Sequence, residues 1–362
     1  MSEVSSIEQR AAELATPSRI LVPFGSVEVR RPQWVVRGIL EADTLTLLFG
    51  EPKIGKSFVA VDLAASIASG LDWHGHRVEQ GPVLYIAGEG HAGLARRRRA
   101  WEIARQLPLA EQPIYLSRCA VGVGNPADLE AIIEEVRELN ITPSLVVIDT
   151  VARCIGSGLD ENSNRDMGAF IAGLDRLRTV CGGSAILLVH HPGHGDKTRG
   201  RGATALVGAI DAEWRVERAD ERRLNMVAQR LKDAEPPPPL GFKLDGVELD
   251  LEDDEGEPVT SAVPRRVDYV PPKTQEARQA DLDALEILRK LHSNGTPLVN
   301  EWRQQCQDAG LIATSSEEAS RKAMNRCIDR LKKQGLVTRG IGRGVWIPSP
   351  DQAADRGGGV DL

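Results

Sequence analysis

The chain has 362 residues, of which 41% are hydrophobic and 27% are charged, and its formal net charge at pH 7 is −7. A chain of this length accommodates about two domains and buries a sizeable core without help from disulfides. The negative net charge excludes a molecule that attracts nucleic acid over its whole surface, so any basic surface must be local.

The cysteines and the apolar stretches bear on where the protein works. Its five cysteines are widely scattered, form no CxxC pair and have no clustered histidines nearby. This pattern predicts buried, reduced thiols in a cytoplasmic protein. The N-terminus lacks the apolar core of a signal peptide, and no stretch reaches the roughly 18 apolar residues of a membrane span. We therefore expect a soluble, cytoplasmic protein with no membrane partner.

The chain divides by pattern into five segments. Residues 1–33 form a leader that would link subunits, and residues 34–250 alternate near-continuous apolar runs with amphipathic helical segments. Such runs are typical of strands covered on both faces, which predicts an α/β fold with a mostly parallel central sheet. Residues 251–275 turn acidic and then proline-rich without periodicity, which predicts a linker. Residues 276–349 show three short helical patterns and two short strands, and residues 350–362 form a tail that we expect to be disordered.

The stretch GEPKIGKS at residues 50–57 matches the phosphate-binding pattern G-x-x-x-x-G-K-[ST], between a predicted strand and a predicted helix. Gly50 and Gly55 would take positive φ, and the helix N-terminus would add N–H donors for phosphate. Lys56 would reach the β- and γ-phosphate oxygens, and Ser57 would bind Mg²⁺. Pro52 donates no N–H, so the backbone donors must come from later residues. The residues expected to bind ATP are Gly50, Glu51, Pro52, Lys53, Ile54, Gly55, Lys56, Ser57 and Phe58.

Three further strand ends carry side chains suited to ATP hydrolysis. Asp149 closes the run SLVVIDT at the carboxyl edge of the sheet, where ligands bind, and is predicted to hold Mg²⁺ through water. Glu89 ends another strand between two glycines and would polarise the attacking water; the alternative is a solvent-exposed turn. His190 and His191 end a third strand. One of them would contact the γ-phosphate and the other would be a buried neighbour, and the sequence does not decide between them.

Several cations suggest contacts beyond the nucleotide. Lys197, Arg199 and Arg201 lie in a glycine-rich run after the histidines, which favours a loop gripping a DNA backbone over a solvated surface loop. Arg230 and Lys232 end a late strand, from which they would reach the γ-phosphate of a neighbouring subunit. A charge supplied in this way speeds hydrolysis by roughly 10³–10⁵-fold. The alternative is an ordinary charge pair at a strand end.

The run ARRRRAW follows Glu89 on a predicted helix. Four consecutive arginines cover all sides of a helical turn. We expect mainly a solvated helix face, with a subunit interface or DNA contact as alternatives.

The order of these motifs resembles the RecA-like P-loop ATPases, specifically the plasmid- and phage-type group that includes RepA replicative helicases. The resemblance extends from about Trp34 to Leu244 and rests on GEPKIGKSFVAVDLAASIASG, PVLYIAGEGHAGLARRRRAW, VVIDTVARCIGSGLDEN, LLVHHPGHG and AQRLKDAE. It implies a hexameric ring that hydrolyses ATP between subunits and draws single-stranded DNA through its centre. It also implies that Glu89 is the catalytic carboxylate and that Arg230 and Lys232 act on the neighbouring subunit's nucleotide.

The residues after the ATPase core depart from the compact members of that group and look like a winged helix. Arg326 and Arg330 would lie on the basic exposed side of the last helix, with Arg339 and Arg343 on the wing. Such a helix reads duplex DNA from the major groove. The alternative is docking to a replication protein.

Together these patterns predict an ATP-hydrolysing, ring-forming motor on single-stranded DNA, namely a replicative helicase of a plasmid or phage. The alternative is an ATP-switched DNA-binding regulator or recombination mediator without unwinding activity. A kinase or metabolic P-loop enzyme is disfavoured, because the sequence shows no second substrate-binding motif.

Overall fold

The computed structural model describes residues 23–29, 31–88, 90–193, 204–232, 234–271, 279–293, 295, 297–312, 316–340 and 346–348. The chain divides between Val270 and Pro271 into two compact units. In the described part of the chain, no helix combines the length and the apolar character needed to span a bilayer.

The first unit is built around a nine-stranded sheet. Its strands are β3 (Leu45–Gly50), β4 (Val83–Ala87), β5 (Ile114–Leu116), β6 (Leu145–Asp149), β7 (Ala185–His190), β8 (Ala212–Arg218), β9 (Arg223–Leu231), β10 (Leu240–Glu252) and β11 (Pro258–Val267). They lie in the order β11-β10-β9-β8-β3-β7-β6-β4-β5. Neighbours from β8 to β5 pair in parallel, and β9, β10 and β11 add antiparallel strands at one side. A small ladder of β1 (Trp34–Val36) and β2 (Leu40–Glu41) precedes them.

Helices cover both faces of this sheet. They are α1 (Lys56–Ser69), α2 (His91–Arg105), α3 (Pro126–Glu138), α4 (Val151–Cys154), α5 (Asn164–Val180) and α6 (Thr204–Ala209), with 3₁₀ turns at Phe24–Ser26 and Leu109–Glu111. Every residue of β3, β6 and β7 is buried. Leu48 packs on the α1 side, whereas Leu47 packs on the side of α3 and α5. The near-continuous apolar runs of the sequence are therefore explained by burial on both faces.

The strand order brings the predicted phosphate-site residues to one edge. The strand β7 lies between β3, which leads into the phosphate loop, and β6, which ends at Asp149. Because all three strands are parallel, the loop, the aspartate and the histidines at the end of β7 lie along the same carboxyl edge.

The linker predicted over residues 251–275 is wrong for residues 251–267. There β10 and β11 form a long hairpin that extends the sheet. Its apolar residues Val247, Leu249, Val259 and Val263 pack in a cluster with Trp101 of α2. The sequence VELDLE does alternate with the period of two that indicates a strand, but its acidic exposed positions dominated the composition on which the linker prediction relied.

The second unit contains α7 (Gln279–Ser293), α8 (Val299–Asp308) and α9 (Glu317–Lys333), followed by β12 (Val337–Arg339) and β13 (Trp346–Pro348). The two strands pair antiparallel. Leu288, Trp302, Met324 and Leu331 form part of its core. Three helices followed by a small antiparallel sheet fit the winged-helix-like region predicted from the sequence.

All five cysteines are free thiols, and four of them are buried. Cys119 is exposed, which corrects the expectation of burial for this residue. It lies in the loop after β5, the last strand at one side of the sheet.

Candidate nucleotide-binding site

The phosphate loop turns between β3 and α1 with two residues in the left-handed region. Gly55 has φ of 111° and Lys53 has φ of 62°. Gly50 does not take positive φ, which corrects one expectation; a Cβ there would lie 2.3 Å from the carbonyl oxygen of Val216. Gly50 is therefore needed for the close approach of β3 to β8, and Gly55 for the turn itself.

Lys56 is the first residue of α1, and its ammonium lies against the loop. Its Nζ donates to the carbonyl oxygens of Gly50 (2.7 Å) and Glu51 (2.9 Å). The same nitrogen lies 3.4 Å from Nδ1 of His191. Burial lowers the pKa of Lys56 to about 8, although the charges of Asp149 and Glu51 act in the opposite direction. The loop thus holds a desolvated cation, a strong partner for a phosphate oxygen.

Asp149 ends β6 with its side chain nearly buried, and it accepts a hydrogen bond from the hydroxyl of Tyr85 at 2.7 Å. Its backbone carbonyl accepts from the N–H of Gly88 at 2.8 Å, which joins the ends of β6 and β4. Burial, followed by the nearby charge of Asp149, raises the pKa of Tyr85 well above its ordinary value. Tyr85 therefore remains a phenol that donates to the carboxylate.

One cavity of about 470 Å³ brings most of these groups together. Its lining residues are Lys53, Ile54, Gly55, Lys56, Ser57, Phe58, Gly90, Arg97, Asp149, Thr150 and His191. The volume lies within the usual range for small-molecule sites. Among the predicted loop residues, Gly50, Glu51 and Pro52 do not line it, although the first two position Lys56 through their carbonyls.

The two histidines at the end of β7 differ in their burial. His190 is fully buried and pairs in register with Phe49 of β3. His191 is partly exposed and lines the cavity beside Lys56. Of the two side chains, His191 is therefore the one placed to meet a phosphate, a choice that the sequence left open.

A family model of the AAA domain matches residues 11–197, about half of the chain. The chain belongs to the AAA domain family. The matched region contains the phosphate loop, Asp149 and both histidines. This membership supports nucleotide binding and hydrolysis, usually with Mg²⁺. The narrower group of RepA-type helicases stays a hypothesis, and no curated protein matches the chain.

The donor set in the cavity of the AAA domain fits a magnesium nucleotide. Ser57 offers a hydroxyl at the start of α1, and Asp149 offers a carboxylate across the same cavity. The described residues contain no group of three or more His, Cys, Asp or Glu side chains that would hold a metal alone. Mg²⁺ is commonly bound by one or two carboxylates together with the phosphates of its nucleotide, and Asp149 offers one such carboxylate.

Arg97 is a residue of this site that the sequence interpretation missed. It is half-buried in α2, and its guanidinium lies 4.7 Å from the ring centroid of Phe58. Its neighbours Arg96, Arg98 and Arg99 are exposed, as expected of a solvated face. In the sequence the four arginines look equivalent. The packing of α2 beside α1 decides which of them lines the cavity, and this packing cannot be read from the sequence.

We expect Arg97→Ala to weaken binding of Mg-ATP by about 10-fold or more, because it removes a cation that lines the phosphate cavity. Arg96→Ala is the matched control, since it removes an adjacent but exposed arginine and should leave affinity unchanged. Titration of a fluorescent ATP analogue measures both. Equal affinities of the two variants would place Arg97 outside the nucleotide contacts.

Nucleotide affinity should also depend on pH through Lys56. Since its pKa is about 8, the ammonium loses its proton, and with it the attraction for phosphate, as the pH rises through that value. Affinity should therefore be level below pH 8 and fall above it, by at most about tenfold per pH unit. The variant Lys56→Met should lack this fall. Binding titrations between pH 6.5 and about 9.5 test it, and a flat wild-type profile contradicts it.

Arg230 and Lys232 lie at the edge of the sheet opposite to the phosphate loop. The end of β9 pairs with the start of β8, and the start of β8 pairs in turn with the start of β3. The phosphate loop follows the other end of β3. Neither cation therefore reaches the cavity of the same chain.

Both cations have local partners. Nη2 of Arg230 donates to the carbonyl oxygens of Val207 (2.7 Å) and Ile210 (2.8 Å), at the end of α6. Nζ of Lys232 lies 3.4 Å from a carboxylate oxygen of Asp211, and its side chain is 67% exposed. Both remain accessible to another molecule at this edge.

Arg330 is wrongly placed by the sequence interpretation. It makes two hydrogen bonds of 2.6 Å to Asp281 and is only 15% exposed, so it fixes α9 to α7 rather than facing DNA. Arg326 and Arg339 are exposed, as predicted. The remaining predicted residues lie outside the described part of the chain; they are Glu89, Lys197, Arg199, Arg201 and Arg343.

Proposed function

We propose that this AAA domain protein is an ATP-hydrolysing, ring-forming motor on single-stranded DNA, a replicative helicase of the plasmid or phage type. The observation that carries the proposal is the separation of the phosphate cavity from Arg230 and Lys232. A head-to-tail ring brings the edge that bears these cations to the neighbour's cavity, because such an interface joins two different surfaces. Hydrolysis then depends on assembly.

Each cavity residue has a distinct part in this proposal. Lys56 binds the β- and γ-phosphates, while the N–H groups at the start of α1 hold the remaining oxygens. Ser57 and Asp149 hold Mg²⁺, which when bound neutralises charge on the transferred phosphoryl group. His191 contacts the γ-phosphate. Glu89, which is two residues after the end of β4 in the sequence, orients the attacking water.

The motor needs a link from phosphate to DNA, and the chain order supplies one. His191 lies at the cavity and is followed within a few residues by the basic, glycine-rich run that contains Lys197, Arg199 and Arg201. In our proposal this run grips the DNA backbone, and its grip changes when His191 loses the γ-phosphate.

A second candidate, an ATP-switched DNA-binding regulator, is favoured by the second unit. The exposed cations of α9 are Arg321, Lys322, Arg326, Lys332 and Lys333. With Arg339 on β12 they form a basic surface suited to duplex DNA. In this case ATP would set only the assembly state.

Four measurements separate these functions. The motor predicts ATP hydrolysis stimulated by single-stranded DNA, hydrolysis-dependent unwinding of a tailed duplex, and a hexamer by mass measurement with ATP and oligonucleotide. The regulator predicts sequence-preferring binding to duplex DNA without unwinding. Turnover of ATP with no unwinding at either tail polarity would eliminate the helicase, and a monomer under every condition would eliminate the ring.

A further inference from the structure

The side chain of Tyr85 has a polar contact that its position in β4 does not require. All five residues of β4 are buried, and the other four are the apolar Val83, Leu84, Ile86 and Ala87. A phenylalanine would satisfy the packing of such a strand. The hydroxyl of Tyr85 instead lies 2.7 Å from Oδ2 of Asp149.

The sheet register explains how the two side chains meet. The strands β4 and β6 are parallel neighbours, with Tyr85 opposite Val147 and Ala87 opposite Asp149. Tyr85 and Asp149 are therefore diagonal neighbours on the same face of the sheet. Within the described residues, Tyr85 is the one side chain that donates a hydrogen bond to this carboxylate.

Because of this hydrogen bond, the two carboxylate oxygens of Asp149 have different surroundings. Oδ2 is held by the phenol inside the sheet, while Asp149 also lines the cavity together with Ser57. Because the phenol binds Oδ2, Oδ1 is the oxygen that we expect to meet a ligand in the cavity. A carboxylate held by one oxygen keeps its orientation, whereas an unheld one rotates.

We infer that Tyr85 is a positioning residue for metal binding, whose hydroxyl fixes Asp149 so that one carboxylate oxygen faces the magnesium nucleotide. The inference rests on the proposed ATPase function, and it assigns Tyr85 no direct contact with nucleotide. Loss of such a supporting contact typically weakens metal affinity by about 10–100-fold.

The test is Tyr85→Phe in the full chain, with binding of a fluorescent ATP analogue measured in EDTA and across a Mg²⁺ titration. We expect the Mg²⁺ concentration for half-maximal enhancement to rise about 10-fold, with affinity in EDTA unchanged. Tyr115→Phe is the matched control, because it removes a hydroxyl from β5, the other neighbour of β4, and should change neither value. In an Asp149→Asn background, Tyr85→Phe should add no further shift.

The possible outcomes distinguish a failure of the inference about Tyr85 from a failure of the proposed ATPase function. A wild-type protein whose nucleotide binding ignores Mg²⁺ overturns the ATPase proposal and this inference together. A wild-type response to Mg²⁺ that Tyr85→Phe leaves unchanged overturns the inference alone. So does an equal loss of affinity in EDTA and in Mg²⁺, since a purely structural defect acts on both.

If Tyr85→Phe does not fold, a second measurement tests the inference on protein that retains Tyr85. The chain has three tyrosines, so global 3-fluorotyrosine labelling gives few ¹⁹F signals, which Tyr115→Phe and Tyr269→Phe assign by elimination. The Tyr85 signal should move when Mg²⁺ joins the bound nucleotide, while the other two stay. A Tyr85 signal unmoved by Mg²⁺ overturns the inference.

Discussion

Lys56→Ala should lower ATP turnover by at least about 10²–10³-fold, which is the usual cost of removing one preorganised donor to a developing negative charge. The ammonium of Lys56 lies at the loop carbonyls of Gly50 and Glu51, on the wall of the cavity that also contains Asp149. Of the two lysines that line the cavity, Lys56 is buried and Lys53 is exposed. Steady-state hydrolysis at saturating Mg-ATP measures the loss.

The control for Lys56→Ala is Lys53→Ala in the same loop. It removes a similar charge from the exposed side of the turn and should change turnover by less than about tenfold. Thermal melting should show that Lys56→Ala is folded, because deleting a desolvated ammonium relieves a burial cost rather than creating one. Turnover within tenfold of the wild type in Lys56→Ala would mean that the phosphates bind elsewhere.

The parts of the site that could be predicted are those fixed by contiguous sequence. The two glycines, the lysine and the serine of the phosphate loop lie within residues 50–57. The apolar run before Asp149 places that carboxylate at the end of a strand. Both signals need only local chemistry and the rule that parallel strands share a carboxyl edge. The family match covers this same region.

The parts that could not be predicted depend on which elements pack together. Arg97 differs from Arg96 and Arg98 only in its position on α2 relative to Phe58. The helical pattern predicts an exposed Arg330 because the partner that buries it, Asp281, lies 49 residues earlier in the chain. Long-range pairings of this kind leave no periodic signal in one sequence.

The hairpin of β10 and β11 was missed for a different reason. Its alternation of apolar and acidic residues is local and visible, but eight carboxylates between Asp245 and Glu257 resemble a solvated linker by composition. Val247 and Leu249 nevertheless pack in a cluster with Trp101 of α2. The acidity is compatible with this packing, since most of the acidic side chains are exposed and Asp245 and Asp250 form ion pairs. For strands with one exposed face, period is a better guide than charge.

Arg230→Ala should lower turnover by roughly 10³–10⁵-fold while leaving nucleotide binding within the wild-type range, because its cation would act only on the neighbour's transition state. Arg230 lies at the edge opposite to its own cavity, so it has no direct contact with the nucleotide bound there. Arg230→Lys should keep part of the activity. Binding and turnover measured on the same assembled sample separate the two effects.

Mixing two inactive variants decides whether Arg230 acts between subunits. Lys56→Ala subunits keep Arg230, and Arg230→Ala subunits keep an intact cavity, so a mixed ring contains interfaces with both parts. In a random equal mixture about one quarter of the interfaces are complete, and activity should return in that proportion. Loss of the Arg230 contacts to Val207 and Ile210 would also disturb α6, but a folding defect of that kind is not repaired by a neighbour. Absence of any recovery, in mixtures shown by mass to be mixed hexamers, would confine Arg230 to its local structural role and leave the ring without its trans cation.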